Sequence, residues 1–322
     1  MKPKILVTRE TFQDVLDYLA GYFDVSANQP DIPMDTETLA RALQDKMGVM
    51  TALTDKVDAG LLARCANLKA VCNIAVGFNN IDIQACTARK VMVTNTPGVL
   101  DDSTADFTWA LILAVARRLM EAEAYVRAGE WHGWKLKQFL GNDVHHRTLG
   151  ILGMGRIGRK VAQRAAGFEM QVIYHNKRRL DAKVEQAYNA AYVSLDELLA
   201  RADILTVHIP YSAETHHVIG KTELAKMQPN AILINAARGG IVDDAALIEA
   251  LKSGKIAGAG LDVFENEPAF NPAFLSLKNV VLTPHIASSS SATRFGMAML
   301  AAQNLVAALT TGRPPNWLNT FA

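Results

Sequence analysis

Short runs rich in β-branched residues alternate with longer amphipathic stretches along almost the whole of this 322-residue chain. That alternation is the pattern of a parallel sheet. Antiparallel neighbours need only a tight turn between them, whereas parallel strands need a helical crossover to bring the chain back. In the first third, strands are expected at Ile5–Val7, Gly48–Thr51, Ala70–Ile74 and Val91–Thr94. In the middle they are expected at Thr148–Leu152, Gln171–Tyr174, Ile204–His208, Ala231–Asn235, Ala257–Leu261 and Val280–Thr283. The chain is long for one core and suits two domains.

A helix is expected between the two strand series. Asp101, Asp102, Ser103 and Thr104 offer N-cap oxygens, and 105–124 is apolar on most sides, as in a helix buried on most sides. A last apolar helix runs from about Ser290 to Leu309 and stops at Thr311-Gly312-Arg313-Pro314-Pro315. It follows the final strand, so it is placed to cross back to the first domain. The domain expectation is therefore a discontinuous domain, 1–100 with 286–322, enclosing a second domain at 101–285.

Composition narrows the partners. Lys+Arg 33 against Asp+Glu 32 leaves a net charge of +1, with none of the basic excess that marks nucleic-acid or membrane-surface proteins. Cys65, Cys72 and Cys86 are odd in number and form no C-x-x-C pattern, which argues against a disulfide framework or zinc site. The N-terminal stretch reads as a strand rather than a signal peptide, and no run approaches the ~18 apolar residues of a membrane span. A cytoplasmic protein is expected, with neither nucleic acid nor membrane as partner.

The sharpest motif is Gly153-Met154-Gly155-Arg156-Ile157-Gly158, directly after a β-rich run and opening a helical one at 159–166. A lone G-x-G-x-x-G is weak; in strand–turn–helix context it is a dinucleotide fingerprint. Gly153 permits the tight turn, Gly155 lets backbone approach a pyrophosphate, and Gly158 lets helix and strand pack closely. The helix N-terminus then presents free N–H groups and a positive dipole end. The next strand should end in an acid that holds the adenosine ribose. Here it is followed by His175-Asn176-Lys177-Arg178-Arg179. The acid is missing, and Lys177 and Arg178 suit a 2′-phosphate, so NADPH is expected, with NADH the weaker alternative. The competing reading is a solvated basic turn, with Asp181 or a backbone group on the ribose.

Three further segments sit just beyond strand ends: Asn235-Ala236-Ala237-Arg238-Gly239, Gly260-Leu261-Asp262-Val263-Phe264-Glu265-Asn266-Glu267-Pro268, and Thr283-Pro284-His285-Ile286. In open α/β sheets the ligand crevice lies outside the carboxyl ends of the strands, where an arginine, a carboxylate and a histidine can converge. Singly, each has a structural reading: an ion-pair partner, a surface turn and a strand-end histidine.

Together with Val76-Gly77-Phe78-Asn79-Asn80-Ile81-Asp82 and Thr104-Ala105-Asp106, these segments make the chain resemble the D-isomer-specific 2-hydroxyacid dehydrogenases over essentially its full length. Within that family it looks closest to bacterial glyoxylate/hydroxypyruvate reductases, which also reduce 2-ketogluconate. The resemblance implies two Rossmann-like domains, a doubly wound cofactor domain inserted in a flavodoxin-like substrate domain. It implies a homodimer acting on a small 2-keto acid, and a catalytic set of Arg238, Glu267 and His285. Arg238 would contact the substrate carboxylate and polarise the keto oxygen, and His285 would donate the proton. Glu267 would hydrogen-bond His285 and favour its charged form. Glu265 is a rival carboxylate, but Glu267 has the matching Pro268.

Val76 and Gly77 resemble backbone donors to the substrate carboxylate. The implied cofactor contacts are Thr104, Gly153, Gly155, Arg156, Ile157, Gly158, Asn176, Lys177, Arg178, Pro210, Thr215, Ala236, Asp262 and Ala287. Asp262 matches a position that approaches the nicotinamide amide. Ala287 departs from the glycine of many relatives, and an alanine there is strained if φ must be positive.

His145-His146 and His216-His217 invite a metal reading, but sequence neighbours point apart on a strand and seldom chelate together, so no metal is expected. Trp131-His132-Gly133-Trp134 and Phe139 suit core or interface packing, and in similar enzymes the region reaches towards the neighbouring subunit's active site. Two rival functions stand beside keto-acid reduction: phosphite oxidation with a similar catalytic set, and nucleotide sensing without catalysis. A phosphoglycerate dehydrogenase is disfavoured because no regulatory domain follows Ala322.

Overall fold

The computed structural model describes residues 2–321. They form two compact units, 2–100 with 290–321, and 101–289 inserted between those segments in chain order.

In the first unit, β1 (Lys4–Val7), β2 (Asp24–Ala27), β3 (Gly48–Thr51), β4 (Ala70–Asn73) and β5 (Met92–Thr94) form one parallel sheet in the order β2-β1-β3-β4-β5. This is the flavodoxin-like order. Side-chain alternation assigns the two faces. Ile5, Val7, Met50, Ala70 and Cys72 pack with α1 (Gln13–Tyr22) and the long α12 (Ser291–Thr310). Leu6, Val49, Val71 and Val93 pack with α2 (Thr36–Leu43), α3 (Ala59–Arg64) and α4 (Ile83–Ala88). A sheet covered on both faces explains why its inner strands are apolar at nearly every position.

The tail beyond α12 closes the β5 edge. Thr94 bridges Trp317 in antiparallel fashion, and the buried Asn319 side chain accepts from Val93 N while donating to Val91 O. An edge strand left open would be a template for non-native pairing.

In the second unit, α5 (Asp101–Ala116) and α6 (Leu119–Arg127) lead into β6 (Thr148–Leu152), α7 (Arg156–Ala165), β7 (Gln171–His175), α8 (Ala182–Ala187), β8 (Ala190–Tyr192), α9 (Leu195–Arg201), β9 (Ile204–Val207), α10 (Lys221–Lys226), β10 (Ile232–Asn235), α11 (Asp244–Lys252), β11 (Gly258–Leu261) and β12 (Val280–Leu282). The seven strands are all parallel, in the order β12-β11-β10-β9-β6-β7-β8. The order reverses between β6 and β9, which opens the crevice at a topological switch point.

The α/β reading of the sequence is borne out, as are two parallel sheets. Two edge strands, β2 and β8, were not expected from the sequence. Edge strands are half-solvated, and Asp24-Val25-Ser26-Ala27 and Ala190-Ala191-Tyr192 lack the apolar run of an inner strand. The linking helix also differs from its expectation. Asp101 to Thr104 form its first turn rather than its cap, and it breaks at Arg118, whose φ of 51° is left-handed. Asn142 N–H bonds Ala116 O, so a backbone group from outside the helix satisfies a terminal carbonyl.

Candidate active site

The glycines of the fingerprint differ in what surrounds them. Gly153 has φ of +99°, and a Cβ there would lie 2.7 Å from His208 C and Ile209 N. A Cβ on Gly158 would stand 2.4 Å from Gly153 O, so α7 can approach β6 only with hydrogen at that position. Gly155 caps α7 and has open space before it, with nothing within 4 Å. The N-terminal amides of α7, with Arg156 and Ile157 in its first turn, thus meet a backbone surface that a pyrophosphate can approach closely.

Asn176, where the fingerprint acid was expected, accepts from Met154 N–H through Oδ1 at 2.7 Å and so braces the glycine turn. The basic turn divides. Arg179 makes two bonds to Glu185, which also accepts from Tyr174 OH, and this holds Glu185 down to about 2. Lys177 pairs with Glu214 at 2.8 Å in full solvent, while Arg178 has no ion-pair partner among the described residues.

Across the switch point, His208 at the end of β9 is pulled down to about 4 by burial, and its Nε2 lacks a partner among the described residues. A buried polar atom without a partner beside an open glycine crest fits a bound dinucleotide, which would supply polar groups there. Thr215 does not offer a free hydroxyl, because it accepts from Ser212 N and donates to Pro210 O within its own turn. Thr104 is buried in the first turn of α5, and Ala236 is buried just past β10.

Arg238, Glu267 and His285 follow β10, β11 and β12, three successive neighbours in the sheet. Asn235 shapes the arginine turn by donating to Arg238 O at 3.0 Å and accepting from Ala237 N at 3.1 Å. Burial pulls the Arg238 guanidinium down from its ordinary value, opposed by the charge of Glu267. His285 Nδ1 lies 2.8 Å from Glu267 Oε2, and Glu267 Oε1 accepts from Phe264 N at 2.7 Å. Partial burial raises the Glu267 carboxyl, but the His285 bond and charge, Phe264 N–H and Arg238 outweigh it and hold the group below its usual range. With Nδ1 on Glu267, Nε2 is the ring nitrogen left for a substrate.

Asp262 is fully buried, and its carboxylate accepts from Thr283 Oγ1 (2.7 Å), Ile286 N (2.8 Å) and Ala287 N (2.8 Å). The Ala287 N–H is thus committed to Asp262. The alanine is unstrained, since Ala287 is not among the positive-φ residues. His285 is, at φ 55°.

Sequence reasoning passed over two parts of this region. Glu265 pairs with His217 and donates its N–H to Asp244 at 3.1 Å. Gly239 lets the Phe264 carbonyl sit where its own Cβ would be, 1.7 Å away. Neither pairing has a spacing signal, because the partners lie on different strand-end loops. Among the described residues no group of three or more His, Cys, Asp or Glu is arranged to hold a metal, and no helix is long and apolar enough to cross a membrane.

In the other unit, Val76 and Gly77 follow β4, and their carbonyls accept from the side-chain amides of Asn95 and Asn73.

Comparison with known proteins gives the family. The family model described as "D-isomer specific 2-hydroxyacid dehydrogenase, NAD binding domain" matches residues 109–287. The chain is similar to the glyoxylate reductases of Aeropyrum pernix (47% identity over 99% of this chain and 96% of that one) and Thermococcus litoralis (46%, over 99% and 97%). It also resembles the NADPH-dependent glyoxylate/hydroxypyruvate reductase of Sinorhizobium meliloti, solved in complex with NADP and malonate. The TM-score is 0.88 at 34% identity, over 99% of this chain and 97% of that one.

Asp244 gives a stability prediction. Burial, then the nearby Glu265 and Asp243, push its carboxyl from 3.8 up to about 6, with Glu265 N–H as partial compensation. A carboxyl raised in the folded state favours folding most below 3.8, and that advantage is lost as pH rises through about 6. Asp244→Asn keeps an acceptor for Glu265 N–H. It should stabilise the protein by up to about 3 kcal/mol at pH 7.5 and hardly at all at pH 4. Thermal unfolding at both pH values checks this; an equal gain at the two would contradict it.

Proposed function

Because the chain belongs to the D-isomer-specific 2-hydroxyacid dehydrogenases, and is thus an NAD(P)-dependent oxidoreductase, we propose that it reduces small 2-keto acids to D-2-hydroxy acids with NADPH. Glyoxylate and hydroxypyruvate are the first substrates to consider, and 2-ketogluconate the next. The His285–Glu267 pair at 2.8 Å, with Nε2 left over, carries the reading.

When bound, the nicotinamide supplies the hydride. Arg238 pairs with the substrate carboxylate and draws electron density towards the keto oxygen. His285 delivers its Nε2 proton to that oxygen, and Glu267 stabilises the imidazolium beforehand and fixes the ring by accepting from Nδ1. In this reading 1–100 with 286–322 is the substrate domain, where Val76 and Gly77 direct their N–H groups to the carboxylate. Residues 101–285 hold the cofactor, with Lys177 and Arg178 on its 2′-phosphate.

A homodimer is part of the same proposal. Leu119, Met120 and Val126 on α6, and Trp131, Trp134, Leu136 and Leu140 after it, are large apolar side chains exposed within 22 residues. Two of them, Met120 and Leu140, line a concavity of about 670 Å³ at the amino ends of β10–β12, at the opposite end of the sheet from His285. A patch of this kind on one chain is normally covered, and the family resemblance names a second copy as its occupant. Light scattering should give twice the 35.0 kDa chain mass, and Trp134→Glu with Leu136→Glu should give the monomer. A monomeric parent protein would overturn it.

NADPH and NADH oxidation should be followed with glyoxylate, hydroxypyruvate, 2-ketogluconate and pyruvate. Turnover is expected with the first two and NADPH, and His285→Ala should lose at least about a hundredfold in kcat with cofactor affinity kept. Tight cofactor binding without turnover would favour a nucleotide sensor, and phosphite-dependent cofactor reduction would favour the phosphite reading. Lys177→Ala with Arg178→Ala should weaken NADPH by about tenfold or more and leave NADH nearly unchanged. Equal losses for the two cofactors would refute the 2′-phosphate assignment.

A further inference from the structure

Behind the Glu267–His285 pair lies a second carboxylate–imidazole pair that the reaction itself does not use. Glu265 Oε1 bonds His217 Nε2, in the loop between β9 and α10. The Glu265 N–H donates to Asp244 Oδ2 at 3.1 Å, on the first turn of α11. His217 is itself held. Its N–H donates to Gly240 O at 2.8 Å, its ring stacks on His216 at 3.8 Å, and its Nδ1 stands 3.9 Å from Asp243. His216 in turn meets Tyr211 OH at 3.2 Å.

The chain between the two pairs has little freedom. Phe264 N–H donates to Glu267, and the Phe264 carbonyl is seated against Gly239. The Phe264 ring stacks on Phe270 at 4.6 Å. Residues 264–267 are therefore gripped at Phe264 by the core and the arginine turn, and at Glu265 by α11 and His217. Glu267 is two residues beyond that last grip, with Asn266 in left-handed backbone between them.

We infer that Glu265 and His217 are positioning residues, a clamp that holds the 264–267 turn so that the Glu267 carboxylate stays on His285 Nδ1. This rests on the reading of His285 as proton donor. The charged and titratable groups around the clamp are Asp243 at the N-cap of α11 and Asp244 in its first turn, His216 and Tyr211 from the same loop as His217, and Glu267 with its partners Arg238 and His285.

Charge and position make opposite predictions for one variant. His217→Ala removes at most a positive charge, which by electrostatics alone favours protonated His285 and moves the alkaline limb of the kcat–pH profile upward. A loosened Glu267 favours protonated His285 less and moves the limb downward. The experiment compares kcat, KM and pH profiles for glyoxylate reduction in His217→Ala, His217→Gln, Glu265→Gln and His285→Ala, after melting curves and NADPH affinity have shown each to be folded. His217→Ala and Glu265→Gln should each lose about tenfold in kcat with KM within about twofold. Their alkaline limbs should move to lower pH, with His217→Gln, which keeps a donor of similar reach, lying between them and the parent. An unmoved or upward limb in His217→Ala, or unchanged kcat in both clamp variants, overturns the clamp. Full activity in His285→Ala overturns instead the proton-donor reading on which it rests.

Discussion

The buried carboxylate of Asp262 is the contact on which the arrangement of this site depends. It stands at the end of β11, out of water, and collects a hydroxyl and two backbone N–H groups from the turn after β12. Its own carbonyl takes the His285 N–H at 2.9 Å. A buried acceptor left unpaired is costly, and three hydrogen bonds on one buried group leave the turn few alternatives. His285 is thus fixed by a residue that never needs to touch substrate.

The sheet supplies the rest of the geometry. Neighbouring parallel strands lie about 4.8 Å apart, so side chains just beyond three adjacent carboxyl ends fall within reach of one small molecule. Arg238 and Glu267 are further tied because Gly239 admits the Phe264 carbonyl. The arginine turn cannot shift without meeting the turn that bears the acid. Preorganisation of this kind keeps charges oriented before substrate arrives, which is where electrostatic catalysis gains most.

The inner strands and the glycine crest were legible in the sequence because each rests on a local rule: alternation, β-branching, or a glycine demanded by a turn. Gly153 and Gly158 meet separate steric constraints in the fold, the tight turn and the close helix–strand packing, while Gly155 leaves open space. What escaped was whatever depends on distant partners. β2 and β8 exist because an inner strand offers them hydrogen bonds, not because Asp24–Ala27 or Ala190–Tyr192 are strongly β-forming. The break at Arg118 depends on a chain segment that returns 24 residues later at Asn142. The commitment of the Ala287 N–H to Asp262, and the pairing of Glu265 with His217, join loops that no spacing rule connects.

One feature of His285 reaches beyond its chemistry. Its left-handed backbone is a conformation that glycine and asparagine adopt readily and that costs most other residues about 1 kcal/mol or more. Selection for heat resistance alone would therefore press this position towards Gly or Asn, and under the proposed mechanism it would reach a sturdier protein by erasing the proton donor. The same bias has a constructive side. His285→Asn suits the backbone it inherits, which under the proposed mechanism makes it the natural inert form in which to trap a keto acid beside its cofactor.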